Sequence, residues 1–214
     1  MGLTDCKEGG CVSEDLVFCG ANGTGESFVQ EDNMTLFINC CPRGESRTLR
    51  LAKALLEKIG DYDELKLYQE PLAPLNEERL LYRTELIEKA AYDDPVFAYA
   101  KQFAAADTIV IAAPFWDLSF PAVLKIYFEN IYVTGIVSEY GENGQPSGLC
   151  RASKLYFVTT AGGPLDERFG FDYIKTMAQD YFGIPEAVLI KAEMLDIAGN
   201  DPEKILKEAM MRIG

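Results

Sequence analysis

Three short stretches of this chain combine residue types that bind anions and flat rings. The first is Cys41-Pro42-Arg43-Gly44-Glu45-Ser46-Arg47-Thr48. It precedes a helix-like pattern, and a helix N-terminus presents free N–H groups and a positive dipole end to an anion. Ser46, Arg47 and Thr48 supply hydroxyls and a charge, and Arg43 a second charge-assisted contact. An N-cap at Ser46 with a tight turn at Gly44 explains the same residues without a ligand. No G-K-[ST] or G-x-G-x-x-G is present, so this is neither a Walker loop nor a dinucleotide fingerprint. The second stretch, Pro114-Phe115-Trp116-Asp117-Leu118-Ser119-Phe120-Pro121, holds the single tryptophan. Its aromatic and apolar side chains suit a planar ligand or a subunit interface, although Phe120 reads better as a lid on the core. The third, Thr159-Thr160-Ala161-Gly162-Gly163-Pro164, has paired glycines that let backbone approach a ligand closely or simply turn the chain. Together the three describe a site for a flat, phosphorylated molecule.

The remaining chemistry is bounded by what is missing. There is no histidine. This excludes Ser–His–Asp and Cys–His systems and metal sites that need imidazole, so no metal site is expected. A cofactor that brings its own chemistry is favoured. Of the cysteines, Cys6, Cys11, Cys19, Cys40, Cys41 and Cys150, none forms a C-x-x-C pair. Cys6, Cys11 and Cys19 match no standard iron–sulfur spacing. Cys41 near a helix N-terminus raises the prospect of an activated thiol, but Cys40 ends an apolar run and adjacent cysteines rarely bridge without strain. Both read as structural. The formal net charge is −14, which disfavours nucleic acid and anionic membranes. No apolar run has membrane-spanning length. Without a signal-peptide pattern, a reducing cytoplasm is the expected compartment.

The elements that must position these loops follow from periodicity. Residues 1–33 are acidic and glycine-rich and read as an extension, either a hairpin or an arm. From Met34 onward strands and helices alternate. Thr35–Cys40, Leu65–Tyr68, Thr108–Ala113, Lys154–Thr160 and a run beginning Ala187–Ile190 read as strands. Helices are expected over 46–60, 77–91, from Asp94-Pro95, from Ser119 and Pro121 onward, over Phe171–Phe182 and over Pro202–Arg212. Residues 133–152 read as an insertion with turns at Gly141 and Asn143-Gly144. Five strand–helix alternations predict an α/β fold: a doubly wound, five-stranded parallel sheet of order 2-1-3-4-5 with helices on both faces and a ligand at the strand carboxyl ends.

On the motifs CPRGESRT, APFWDLSFPAVLKIYFENIY, EYGENGQPSGL and TTAGGP, in this order and spacing, residues 34–214 resemble the flavodoxin-like NAD(P)H:quinone oxidoreductases, especially the FMN-dependent azoreductases. The resemblance implies FMN, with FAD as the alternative, and NADH or NADPH as co-substrate. It implies ping-pong two-electron reduction of quinones or of azo or nitro aromatics, and a homodimer. Ser46, Arg47 and Thr48 would then hold the phosphate. Pro114, Phe115, Trp116, Asp117 and Leu118 would line the isoalloxazine, and Thr160, Ala161, Gly162 and Gly163 its pyrimidine edge. Trp116 and Tyr140 would wall the substrate pocket. The family commonly carries asparagine where Asp117 stands, and azoreductases often carry arginine where Ala161 stands. An aspartate facing reduced flavin is unfavourable unless it points away. With no histidine to relay a proton, Tyr140 or water would serve. The other reading is a flavodoxin-like electron carrier that does not oxidise NAD(P)H itself.

Overall fold

A computed structural model describes residues 33–213; the hairpin or arm expected over 1–33, and Cys6, Cys11 and Cys19, fall almost entirely outside the described residues. The order is β1 (Thr35–Asn39), α1 (Arg47–Ile59), β2 (Asp63–Lys66), α2 (Glu77–Glu88), α3 (Ala98–Ala105), β3 (Thr108–Ala112), α4 (Ala122–Ile131), β4 (Ser138–Tyr140), β5 (Pro146–Gly148), β6 (Lys154–Thr160), α5 (Phe171–Thr176), β7 (Glu186–Ala192) and α6 (Pro202–Met211). Strands β2-β1-β3-β6-β7 form one sheet in that order, with every pair parallel. Counting only these five, the order is the expected 2-1-3-4-5. The 133–152 insertion folds as the antiparallel hairpin β4–β5.

Alternation along the central strands explains why both faces are covered. Leu36, Ile38, Ile109, Ile111, Leu155 and Phe157 face α3, α4 and α5, where Phe103, Leu124, Tyr127, Phe128 and Ile174 meet them. Phe37, Val110, Ala112 and Val158 face the opposite way, toward Leu51, Ala52, Leu55 and Leu56 of α1 and Leu206 of α6. The strands that carry the three loops, β1, β3 and β6, are neighbours at the centre of the sheet.

Several boundaries differ from the sequence-based expectation, each for a local reason. The second strand starts at Asp63 and stops at Lys66, because its partner β1 ends at Asn39, opposite Lys66. Leu67–Gln69 is therefore a 3-10 turn. The restart at Asp94-Pro95 is also 3-10 at first: Asp94 Oδ1 accepts from the Val96 N–H and Pro95 occupies the first turn, before α3 begins at Ala98. The helix expected over Phe171–Phe182 is α-helical only to Thr176 and then widens into a π turn over Met177–Tyr181. It closes on Gly183 at φ +75°, where the hairpin residue Gly148 packs so closely on the Phe182 and Gly183 backbone that it has no room for a β-carbon. Among the described residues no helix is long and apolar enough to cross a membrane.

Candidate functional site

The carboxyl ends of β1, β3 and β6 open into a polar cleft of about 460 Å³. Arg43, Glu45, Ser46, Arg47 and Thr48 line it from the first loop, Pro114, Phe115 and Trp116 from the second, and Thr160, Ala161 and Gly162 from the third. Leu195 and Asp196 join from the loop after β7. A cleft of this size falls in the range that buries a cofactor-sized ligand.

Each wall has an identifiable cause. Ser46 caps α1: its Oγ accepts from the Leu49 N–H at 3.4 Å. In the first turn the Arg47 and Thr48 N–H groups have no acceptor among the described residues, as the first N–H groups of any helix lack an intrahelical partner, and such groups can hold an anion. The Thr48 hydroxyl is engaged elsewhere, 2.6 Å from the Thr160 hydroxyl in a buried bond between the first and third loops. Thr48 is 1 % exposed, so its backbone N–H is the group it offers the cleft. The second and third loops are joined in turn, the Phe115 N–H donating to the Thr160 carbonyl at 3.0 Å. In the third loop the carbonyls of Ala161, Gly162 and Gly163 accept from the N–H groups of Leu195, Asp196 and Met194. The Gly162 and Gly163 N–H groups have no acceptor among the described residues. The loop therefore offers donors to a ligand while its acceptors are occupied.

The second loop turns sharply. Trp116 and Ser119 exchange two backbone hydrogen bonds at 2.8 Å each. Asp117 and Leu118 form the tip, both with left-handed φ, +50° and +67°. Such values are strained for leucine. Neither tip residue lines the cleft, and both are exposed. The Asp117 charge is thus carried at the turn tip instead of in the cleft wall. Gly163 also lies outside the cleft lining, as does Tyr140, which sits on β4 with its hydroxyl 2.9 Å from that of Tyr132.

Two thiols lie beneath the first loop. Cys40 is fully buried, and burial raises its pKa well above the ordinary value. Burial also raises Cys41, and hydrogen bonding from Ser46 only partly offsets it. The net shift is upward, so the helix N-terminus does not activate this thiol. Among the described residues no cluster of three or more potential metal ligands exists.

Sequence reasoning missed Glu45, Leu195 and Asp196. Glu45 lies in the first loop, but its residue type carries no anion-binding signal. Leu195 and Asp196 follow the fifth strand in a stretch without glycine pairs or aromatic clustering, and only the adjacency of β6 and β7 brings them to the cleft.

A family model described as "Flavodoxin-like fold" matches residues 33–214. The chain is 37 % identical over 189 residues to the FMN-dependent NADH:quinone oxidoreductase of Coprothermobacter proteolyticus, covering 82 % of this chain and 93 % of that protein. It is 38 % identical over 184 residues to FMN-dependent NADH:quinone oxidoreductase 2 of Clostridium acetobutylicum, covering 80 % and 90 %. The chain belongs to the family of flavodoxin-like FMN-dependent NADH:quinone oxidoreductases. The fold of this oxidoreductase family also appears in solved structures. An azoreductase from Bacillus anthracis superposes with a TM-score of 0.73 at 23 % identity, covering 85 % of this chain and 96 % of that one. An FMN-dependent NADH-azoreductase from Bacillus anthracis, solved in complex with FMN, gives 0.71 at 21 %, covering 85 % and 95 %. Against the azoreductase pattern, Ala161 is 3 % exposed. With its N–H bonded to the Ala192 carbonyl and its own carbonyl to Leu195, it contributes backbone to the cleft wall.

Proposed function

We propose that this protein binds FMN in the three-loop cleft and uses it to oxidise NADH and reduce quinones or related azo and nitro aromatics. The observation that carries this reading is the donor set. The cleft joins a capped helix N-terminus, two arginines, an aromatic loop and a loop whose Gly162 N–H has no acceptor among the described residues. That is the complement of a phosphate, a ring system and a carbonyl-bearing ring edge. When bound, FMN supplies the two-electron chemistry, taking a hydride equivalent from NADH and passing electrons to the acceptor.

The chain's own residues would hold and shield that group. The N–H groups of Arg47 and Thr48, the Ser46 hydroxyl and the Arg43 and Arg47 guanidinium groups hold the phosphate. Pro114, Phe115 and Trp116 wall the ring and exclude water. Asp117 and Leu118 keep the turn that aims Trp116. Thr160 fixes the third loop, Ala161 and Gly162 form its backbone wall at the pyrimidine edge with the Gly162 N–H as donor, and Gly163, outside the cleft lining, ties the loop to Met194 through its carbonyl. A ping-pong order follows if NADH and the acceptor occupy the same open ring face in turn. Tyr140, outside the cleft of its own chain, belongs to the same reading as an acceptor-side residue of a homodimeric site.

The test is direct. Full-length protein with added FMN should take on a flavin absorption spectrum and oxidise NADH in the presence of a quinone. Double-reciprocal plots at several quinone concentrations should be parallel. Protein that neither binds FMN nor oxidises NADH would overturn the proposal. Protein that binds FMN but can be reduced only through a separate reductase would make it a carrier.

A further inference from the structure

Of the two arginines in the cleft, one is already engaged. Arg47 Nη1 lies 2.7 Å from Asp196 Oδ1. Arg43 has no ion-pair partner among the described residues. Asp196 lines the same cleft, and its backbone is fixed there. Its N–H donates to the Gly162 carbonyl at 2.8 Å, and the Leu195 N–H donates to the Ala161 carbonyl at 3.2 Å. The carboxylate lies against Gly162, so a β-carbon at that position would push the Asp196 carboxylate aside. The pair thus spans from the first turn of α1 to the loop after β7, with the Arg47 and Asp196 side chains 38 % and 66 % exposed.

An anion seated on the Arg47 and Thr48 N–H groups would lie close to this carboxylate. It would also call on the guanidinium that Asp196 holds. Like charges in one cleft repel, and one cation cannot give its best geometry to two anions. We infer that Asp196 sets the affinity of the cleft for a phosphate-bearing cofactor by competing with the phosphate for Arg47. This rests on the proposed flavin site and names a residue that tunes it. Asp196 acts here through Arg47 and touches no reacting atom. Until the pair opens, Arg43, without an ion-pair partner among the described residues, and the helix N-terminus carry the attraction.

Competition of this kind has a signature: it acts on the phosphate and leaves the ring alone. Trp116, the single tryptophan of the chain, lines the cleft, so its fluorescence reports binding without turnover. FMN and riboflavin would be titrated into the full-length wild type, Asp196→Asn, Arg47→Gln and the double variant. Asp196→Asn should bind FMN about threefold to fivefold more tightly, the scale of an exposed ion pair, with riboflavin affinity unchanged. Arg47→Gln should weaken FMN, and in that background Asp196→Asn should change FMN affinity by less than it does alone. Unchanged or weaker FMN binding by Asp196→Asn overturns the inference while leaving the flavin site standing. So does an equal change for FMN and riboflavin. A wild type that binds neither ligand overturns the flavin site and the inference together.

Discussion

Replacing Thr48 by valine removes one half of the bond that stitches two loops of the cleft. The Thr48 and Thr160 hydroxyl oxygens are 2.6 Å apart, and the two residues are 1 % and 8 % exposed. Valine keeps the branched shape but leaves the Thr160 hydroxyl without its buried partner. An orphaned buried hydroxyl costs about 1–3 kcal/mol, more than the net value of the bond itself. In a domain of this size each kcal/mol shifts Tm by about 2–4 °C, so a 2 kcal/mol loss lowers Tm by about 6 °C. Thr160→Val should behave alike. The double variant removes both partners together and strands neither, so it should fall well short of the sum of the singles. Thermal and urea denaturation of the four cofactor-free proteins closes the cycle. Single variants as stable as wild type, or a double variant equal to the sum, would refute the argument that this bond ties the loops.

Other outcomes follow from local geometry. Gly148→Ala should destabilise by about 3 kcal/mol or more, because the new β-carbon would overlap the backbone of Phe182 and Gly183; a melting point within 2 °C of wild type, on the order of 1 kcal/mol, would count against that contact. Leu118→Gly should stabilise the chain by about 1 kcal/mol, since Leu118 holds φ +67° with its side chain exposed; urea midpoints would show it, and a loss of stability would mean the turn is not strained. Alkali should weaken the fold in a defined window. Burial, then the Glu70 hydrogen bond, pushes Tyr99 up to about 12 from 10.0. Burial pushes Tyr132 from 10.0 to about 12 and Cys150 from 9.0 to about 12. These groups stay neutral when folded at pH values where the unfolded chain ionises. Their contribution is therefore complete below the unfolded thiol value, near pH 9, and is lost as pH rises toward 12. Melting temperatures measured from pH 7 to 12 should be level at first and then fall; a level profile to pH 11 would contradict the burial.

How much of this was legible in the sequence depends on what each element touches. β1, β3 and β6 are covered on both faces, so TLFIN, TIVIA and KLYFVTT read as strands from apolar content alone. β2 lies at the sheet edge with three of its four residues exposed, so Asp63 and Glu64 give no strand signal and the apolar run starts two residues after the strand does. The π turn after Thr176 changes the hydrogen-bond register but keeps Ala178 and Phe182 in the core. A pattern of apolar residues does not distinguish it from α-helix. At the site, the motif loops announced themselves because glycine, hydroxyl and aromatic residues are unusual beside buried strands. Asp196 did not, because its relation to Arg47 exists only once β7 has paired beside β6. The aromatic resemblance at Tyr140 marked a residue whose hydroxyl, within one chain, meets Tyr132 and not the cleft.

The bond between Thr48 and Thr160 has a consequence for the life of the protein in a cell. α1 packs on one face of the sheet, whereas the second loop leads into α4 on the other. The cleft is therefore the place where both layers are held by the same few loop residues. A ligand seated there at a hundred times its dissociation constant adds about 2.7 kcal/mol of stability by mass action. That shift is large enough to set how often the chain opens to proteases, and so how long it persists. Supply of such a ligand would then bear on the abundance of the protein as well as on its activity, since a shift of about 2.7 kcal/mol lowers the open population about a hundredfold.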